Sequence, residues 1–66
     1  MLVTINGEAF TLEEGLSLTR LLAQFEISAE KVAIERNLTI VHAQEFEKTI
    51  LADGDRIEIV HFMGGG

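Results

Sequence analysis

The stretch MLVTINGEAFTL, residues 1–12, narrows the possible folds more than any other part of this chain. Asn6-Gly7 stands between two β-prone runs, and this dipeptide tolerates the positive φ angles of a type I′ turn. Residues 1–5 and 8–12 therefore read as a tight hairpin. Val3 and Ile5 alternate with Leu2 and Thr4, and Phe10 with Leu12 repeats the two-residue period on the second strand.

The chain breaks at Glu13-Glu14-Gly15 and then changes period. In SLTRLLAQFE, Leu18, Leu21, Leu22 and Phe25 fall at i, i+3, i+4 and i+7, one stripe of an amphipathic helix. Ser17 suits the N-cap, although Arg20 stands where a capping box would carry an acidic residue. After the polar joint SAEK, VAIER alternates again and reads as a third strand. NLTIVH gives a turn at Asn37 and a short edge strand, and AQEFEKTIL a helical turn with Phe46 and Ile50 pointing inward. ADGD, residues 52–55, is a turn, and RIEIVHF is the last strand. The expected fold is α+β: a mixed sheet of about five strands with one main helix packed across one face. That order of elements is the order of the ubiquitin-like β-grasp. Terminal strands of such a chain are expected to pair in parallel at mid-sheet, so that the chain leaves from a central strand.

Sixty-six residues allow one domain, near the lower limit for a self-supporting core. A hydrophobic content of 47% is enough to build that core. With no cysteine there is no disulfide, thiolate metal site or cysteine nucleophile, which fits a cytoplasmic location. No apolar run reaches the roughly 18 residues of a membrane span. MLVTINGE lacks the positive segment of a signal peptide. A net charge of −6 argues against nucleic acid or an anionic membrane as partner, and favours a basic protein surface.

The last strand has two unlike faces. Ile57 and Ile59 are placed under the helix stripe. Glu58, Val60 and Phe62 share the other face, which no second helix covers. Val60 and Phe62, with Leu2 as a neighbour from the first strand, would form an exposed apolar strip running into Met63 and Gly64. Such strips mark partner surfaces. The chain then ends in Gly64-Gly65-Gly66, giving a domain over 1–62 and a flexible glycine tail over 63–66. Without Cβ atoms this backbone can be drawn through a slot too narrow for other residues. Its terminal carboxylate would become an acyl donor once ATP converted it to a mixed anhydride. Disordered ends and cloning scars are also glycine-rich, and the tail by itself leaves both readings open.

Taken together, INGE at 5–8, LTRLL at 18–22, VAIERN at 32–37 and LADGDRIEIVHFMGGG at 51–66 resemble the ThiS family, the sulfur carriers of thiamine biosynthesis. The resemblance runs over essentially the whole chain, and DGDRIEIVHF joined to terminal glycines is its most specific part. It implies a carrier that binds no cofactor of its own and is not an enzyme. Gly66 would carry the reacting carboxylate, with Gly65 as the second residue of the family's glycine pair and Gly64 extending it. An adenylating enzyme of the ThiF type would spend ATP on Gly66, and a sulfur-transfer protein or cysteine desulfurase would supply the sulfur. Thiazole synthase would take that sulfur from the resulting thiocarboxylate. The carrier would be monomeric when free. LTIVHAQEF, after Asn37, departs from the turn glycine of many relatives.

Two other readings remain. One is the molybdopterin-synthase type of carrier, the MoaD family, usually longer and with a different strand before its glycines. The other is a ubiquitin-like binding module with an inert tail. His42 and His61 lie far apart without a supporting carboxylate cluster, so no metal site is expected. Asp53 and Asp55 around Gly54 are too few for a calcium loop and suit a turn. The glycines at 7, 15 and 54 fall at turns, and no glycine-rich phosphate loop opens a helix.

Overall fold

The computed structural model describes residues 1–62. Strands β1 (Leu2–Ile5) and β2 (Glu8–Thr11) form the expected hairpin. Helix α1 (Leu18–Gln24) follows, then β3 (Val32–Arg36), β4 (Thr39–Val41) and β5 (Arg56–His61). Short 3₁₀ turns at Ala29–Lys31 and Ala43–Glu45 connect them. The sheet order is β2-β1-β5-β3-β4, with β5 between β1 and β3. β1 pairs β5 in parallel, Thr4 opposite Arg56 and Ile5 opposite Ile57, while β3 runs antiparallel to β5. This is the β-grasp arrangement.

One face of the sheet carries the core. Val3, Ile5, Ile34, Ile57 and Ile59 meet Leu18, Leu21 and Leu22 of α1, all of them buried. Phe10 lies edge-on to Phe25, ring centroids 5.2 Å apart, and closes the β2 side of the core. Each fully buried aliphatic side chain contributes about 1.5–3 kcal/mol. That packing matters because α1 has only seven residues, too few to persist in water without tertiary support. Its ends are also well made. The Ser17 hydroxyl accepts the Arg20 N–H at 3.2 Å. At the other end the N–H groups of Glu26 and Ile27 return to Ala23 and Leu22, a Schellman closure with Glu26 at φ 57° where glycine is usual.

One expected core residue is corrected. Phe46 is buried as anticipated, but Ile50 is half exposed and Leu51 takes the inward place. The segment folds as a single 3₁₀ turn, so no four-residue period carries from Phe46 to Ile50. Ile50 instead bridges Ser17 in extended conformation, which turns the next side chain, Leu51, to the core. Leu16 is also buried although it precedes the helical stripe, and its carbonyl accepts the Leu51 N–H at 2.8 Å.

Two turns of the same type close the hairpins. Ile5 faces Glu8 across Asn6-Gly7, with φ 49° and 83°, and Arg36 faces Thr39 across Asn37-Leu38, with φ 52° and 72°. Both have the positive φ values of a type I′ turn. In the second, Leu38 occupies the position that glycine fills in the first, and 88% of its surface is in water. Its side chain therefore adds strain without burial. Leu38→Gly is expected to stabilise the domain by up to about 1 kcal/mol. A lower urea midpoint for the variant would show that the leucine side chain makes a contact that outweighs the backbone strain.

Candidate functional site

The alternation along β5 sends Ile57 and Ile59 to the core and leaves Arg56, Glu58, Val60 and Phe62 on the open face. Val60 and Phe62 are each 59% exposed. Cross-strand register supplies their neighbours: Ala33 stands opposite Val60, and one row along, Glu58, Glu35 and Ile40 lie side by side on β5, β3 and β4. Ile40 is 62% exposed. The apolar strip thus spreads toward β3 and β4. Sequence alternation could have put Ala33 and Ile40 on this face, but only the register shows that Ala33 adjoins Val60 and that Ile40 stands beside Glu35 in the next row.

Leu2 does not belong to the strip. It is exposed on the same face, but the parallel register places it level with Gly54, in the turn before β5 and six residues ahead of Val60. At about 3.3 Å per residue the two side chains are roughly 20 Å apart. The expectation assumed that strands neighbouring in the sheet bring their ends together. In a parallel pair the start of β1 meets the start of β5 instead.

Beyond Ile59, β5 outruns β1. Asn6 fills the gap: its side-chain oxygen accepts the Ile59 N–H at 2.7 Å and its amide donates to the Ile59 carbonyl at 3.1 Å. A side chain at a turn thus continues the ladder that the backbone leaves by turning. On the other flank the Phe62 N–H reaches the Lys31 carbonyl at 2.8 Å. The central strand is thus held on the β1 side as far as Ile59 and on the β3 side as far as Phe62. Beside its end lies a shallow groove of about 250 Å³, lined among others by Ala29, Ala33, Ile40, Ala43, Phe46 and Phe62. Met63, Gly64, Gly65 and Gly66 lie outside the described residues.

The rest of the chain offers little chemistry. Among the described residues no group of three or more histidine, cysteine or acidic side chains could hold a metal ion. No helix among them is long and apolar enough to cross a membrane. His61 and His42 are both exposed. Asp55 is buried, yet its carboxylate is committed to Arg36, Asn37 and the Ala52 N–H. What the arrangement can do is present: a braced central strand, an apolar face along it, and the glycine string that follows in the sequence.

Comparison with known proteins gives a consistent picture. The model of the ThiS family matches residues 3–66, a span that includes the glycine string. The chain is 44% identical over 46 residues to the sulfur carrier protein ThiS of Bacillus subtilis, covering 70% of each chain. It is 41% identical over 66 residues to a thiazole synthase of Magnetococcus marinus, covering 100% of this chain and 20% of that protein. It thus spans about a fifth of the length of the bacterial thiazole synthases that it matches. Among solved structures, a thiamine biosynthesis protein (ThiS) from Geobacter metallireducens superposes with a TM-score of 0.86 at 38% identity, covering 100% of both chains.

Proposed function

The chain belongs to the ThiS family, and from that premise we propose that it is a sulfur carrier for thiamine biosynthesis whose reacting group is the carboxylate of Gly66. The observation that carries this reading is the family match extending through the glycines to residue 66. The braced strand that leads toward them supports it.

The chemistry proceeds in two displacements. A carboxylate is a poor acyl donor because its leaving group would be oxide. An oxygen of the Gly66 carboxylate attacks the α-phosphorus of ATP, and pyrophosphate leaves. The acyl-adenylate carbonyl then accepts a sulfide-level nucleophile, and AMP departs with the carboxylate oxygen. The product is a thiocarboxylate, one oxygen exchanged for sulfur. ATP and the charge-stabilising groups belong to the adenylating enzyme; this chain supplies the reacting carbon and the surface that aligns it. Val60 and Phe62 are the docking residues of that surface, with Met63 and Gly64 leading into the tail. Thiazole synthase is the proposed recipient of the sulfur. Two bacterial proteins of that name support this choice, since the whole of this chain aligns with about a fifth of each.

Intact mass spectrometry tests the proposal. The protein is incubated with ATP, the cognate adenylating enzyme and a sulfide source. The mass gain of one oxygen-to-sulfur exchange, located to the last residue by fragmentation, is the expected result. An unchanged mass would refute the carrier reading. The spectrum of protein taken from its own cells reads the terminal residue directly.

A further inference from the structure

The open face of the sheet holds a local conflict. Glu35 and Glu58 are register partners on adjacent strands and share the solvent face. Their Cβ atoms are therefore about 5 Å apart, and like charges placed directly opposite destabilise a sheet. Among the described residues neither carboxylate has an ion-pair partner. The pair is bordered by Ile40 on β4, and by Val60 and Ala33 in the next row. A charged pair that works against its own fold, set within an exposed apolar patch, is complementary to a cation on another molecule.

We infer that this face, with the Glu35–Glu58 pair at its centre and Ile40, Val60 and Phe62 around it, docks the adenylating enzyme through an arginine of that enzyme placed between the two carboxylates. The inference rests on the carrier reading. Two arguments select this occupant. An enzyme that binds ATP must surround a polyanionic triphosphate with positive charge, and the glycine string has to enter beside that charge. Glu58 lies on β5, the strand that leads toward that string, and Glu35 stands beside it on β3. Arginine is favoured over lysine because its planar, forked guanidinium can bond both carboxylates at once. A second copy of this chain is disfavoured, since a net charge of −6 and the same acidic pair would face each other.

The test compares the wild type with the double variant Glu35→Gln, Glu58→Gln and with Glu35→Lys. Glutamine keeps the shape and removes the repulsion, and lysine places an opposite charge across from Glu58. Both should melt at or above the wild-type temperature, by about 1–3 °C for Glu35→Lys. Both should nevertheless bind the purified adenylating enzyme at least about tenfold more weakly at low salt, with a flatter salt dependence of the association rate. Stability and affinity moving in opposite directions is the signature, because a purely structural role would move them together. Equal affinity and equal salt dependence for wild type and variants, in a protein that is adenylated normally, would overturn this inference and leave the carrier reading intact. A wild type that is not adenylated at all would overturn both. A dimer of the free chain that Glu35→Lys disrupts would assign the face to self-association and overturn the inference too.

Discussion

Deletion of Gly65 and Gly66 is expected to leave a protein that folds, melts and docks like the full chain but acquires no sulfur. Among the described residues the buried core ends at Ile59, and the last backbone bond runs from Phe62 to Lys31. The truncation therefore leaves in place every residue of the buried core and of the backbone bonds described for residues 1–62. It also leaves a glycine carboxylate, now on Gly64, with the same intrinsic reactivity. What changes is reach: two residues of extended chain span about 7 Å. A reacting carbon held that far from the α-phosphate has lost the positioning that makes the displacement effectively unimolecular, where even about 1 Å of misplacement costs roughly a hundredfold. Thiocarboxylate formation should fall below detection while affinity for the adenylating enzyme stays within a few-fold. A truncated protein that still gained sulfur at the wild-type rate would show that the terminal glycines are not the working group. A binding module with an inert tail predicts instead that neither form gains sulfur and that the truncated form keeps its function in the cell.

How much of this was legible in the sequence follows from the range of each interaction. The hairpin at Asn6-Gly7, the stripe of Leu18, Leu21 and Leu22, and the alternation of Ile57 and Ile59 are local patterns, and each element formed where its pattern lay. Parallel pairing of the end strands could be anticipated from the element order. Its register could not, and it is the register that separates Leu2 from Val60. A hairpin register is set by its turn, whereas a parallel register is set by packing between segments more than fifty residues apart. The same holds for the polar clamps. Asn6 is recognisable as a turn residue, but its bonds to Ile59 span 53 positions and leave no local trace. Asp55 is likewise recognisable as a turn residue, and its N–H does close a turn onto the Ala52 carbonyl. Its larger role depends on Arg36 and Asn37, 19 and 18 positions away.

That role predicts the largest loss of stability from a single polar change. Asp55 is 6% exposed and its two oxygens accept from Arg36 Nε at 2.8 Å, Asn37 Nδ2 at 3.0 Å and the Ala52 N–H at 2.9 Å. Its own carbonyl accepts the Thr4 N–H at 3.0 Å. One residue thus ties β1, the β3–β4 turn and the entrance of β5 together. Asp55→Ala removes the carboxylate and strands its donors, at an expected cost of about 2–4 kcal/mol. The value falls below that of a fully enclosed pair because Arg36 keeps about a third of its side chain in water. For a domain of this size that is a large part of the total. The loss also depends on pH. Burial raises the Asp55 pKa, but the bonds from Ala52, Asn37 and Arg36 together with the Arg36 charge outweigh it, so the carboxyl titrates below its ordinary value of 3.8. A carboxylate with a depressed folded-state pKa stabilises the fold above its unfolded pKa of about 4, and that contribution is lost as the pH falls through the folded value. The stability gap between wild type and Asp55→Asn, followed by urea denaturation, should therefore be constant from pH 7 to 5 and shrink below about pH 4. Other carboxylates titrate in both proteins and cancel in that difference. A gap that held constant down to pH 2.5 would mean that the charge on Asp55 contributes nothing and that shape alone holds the clamp.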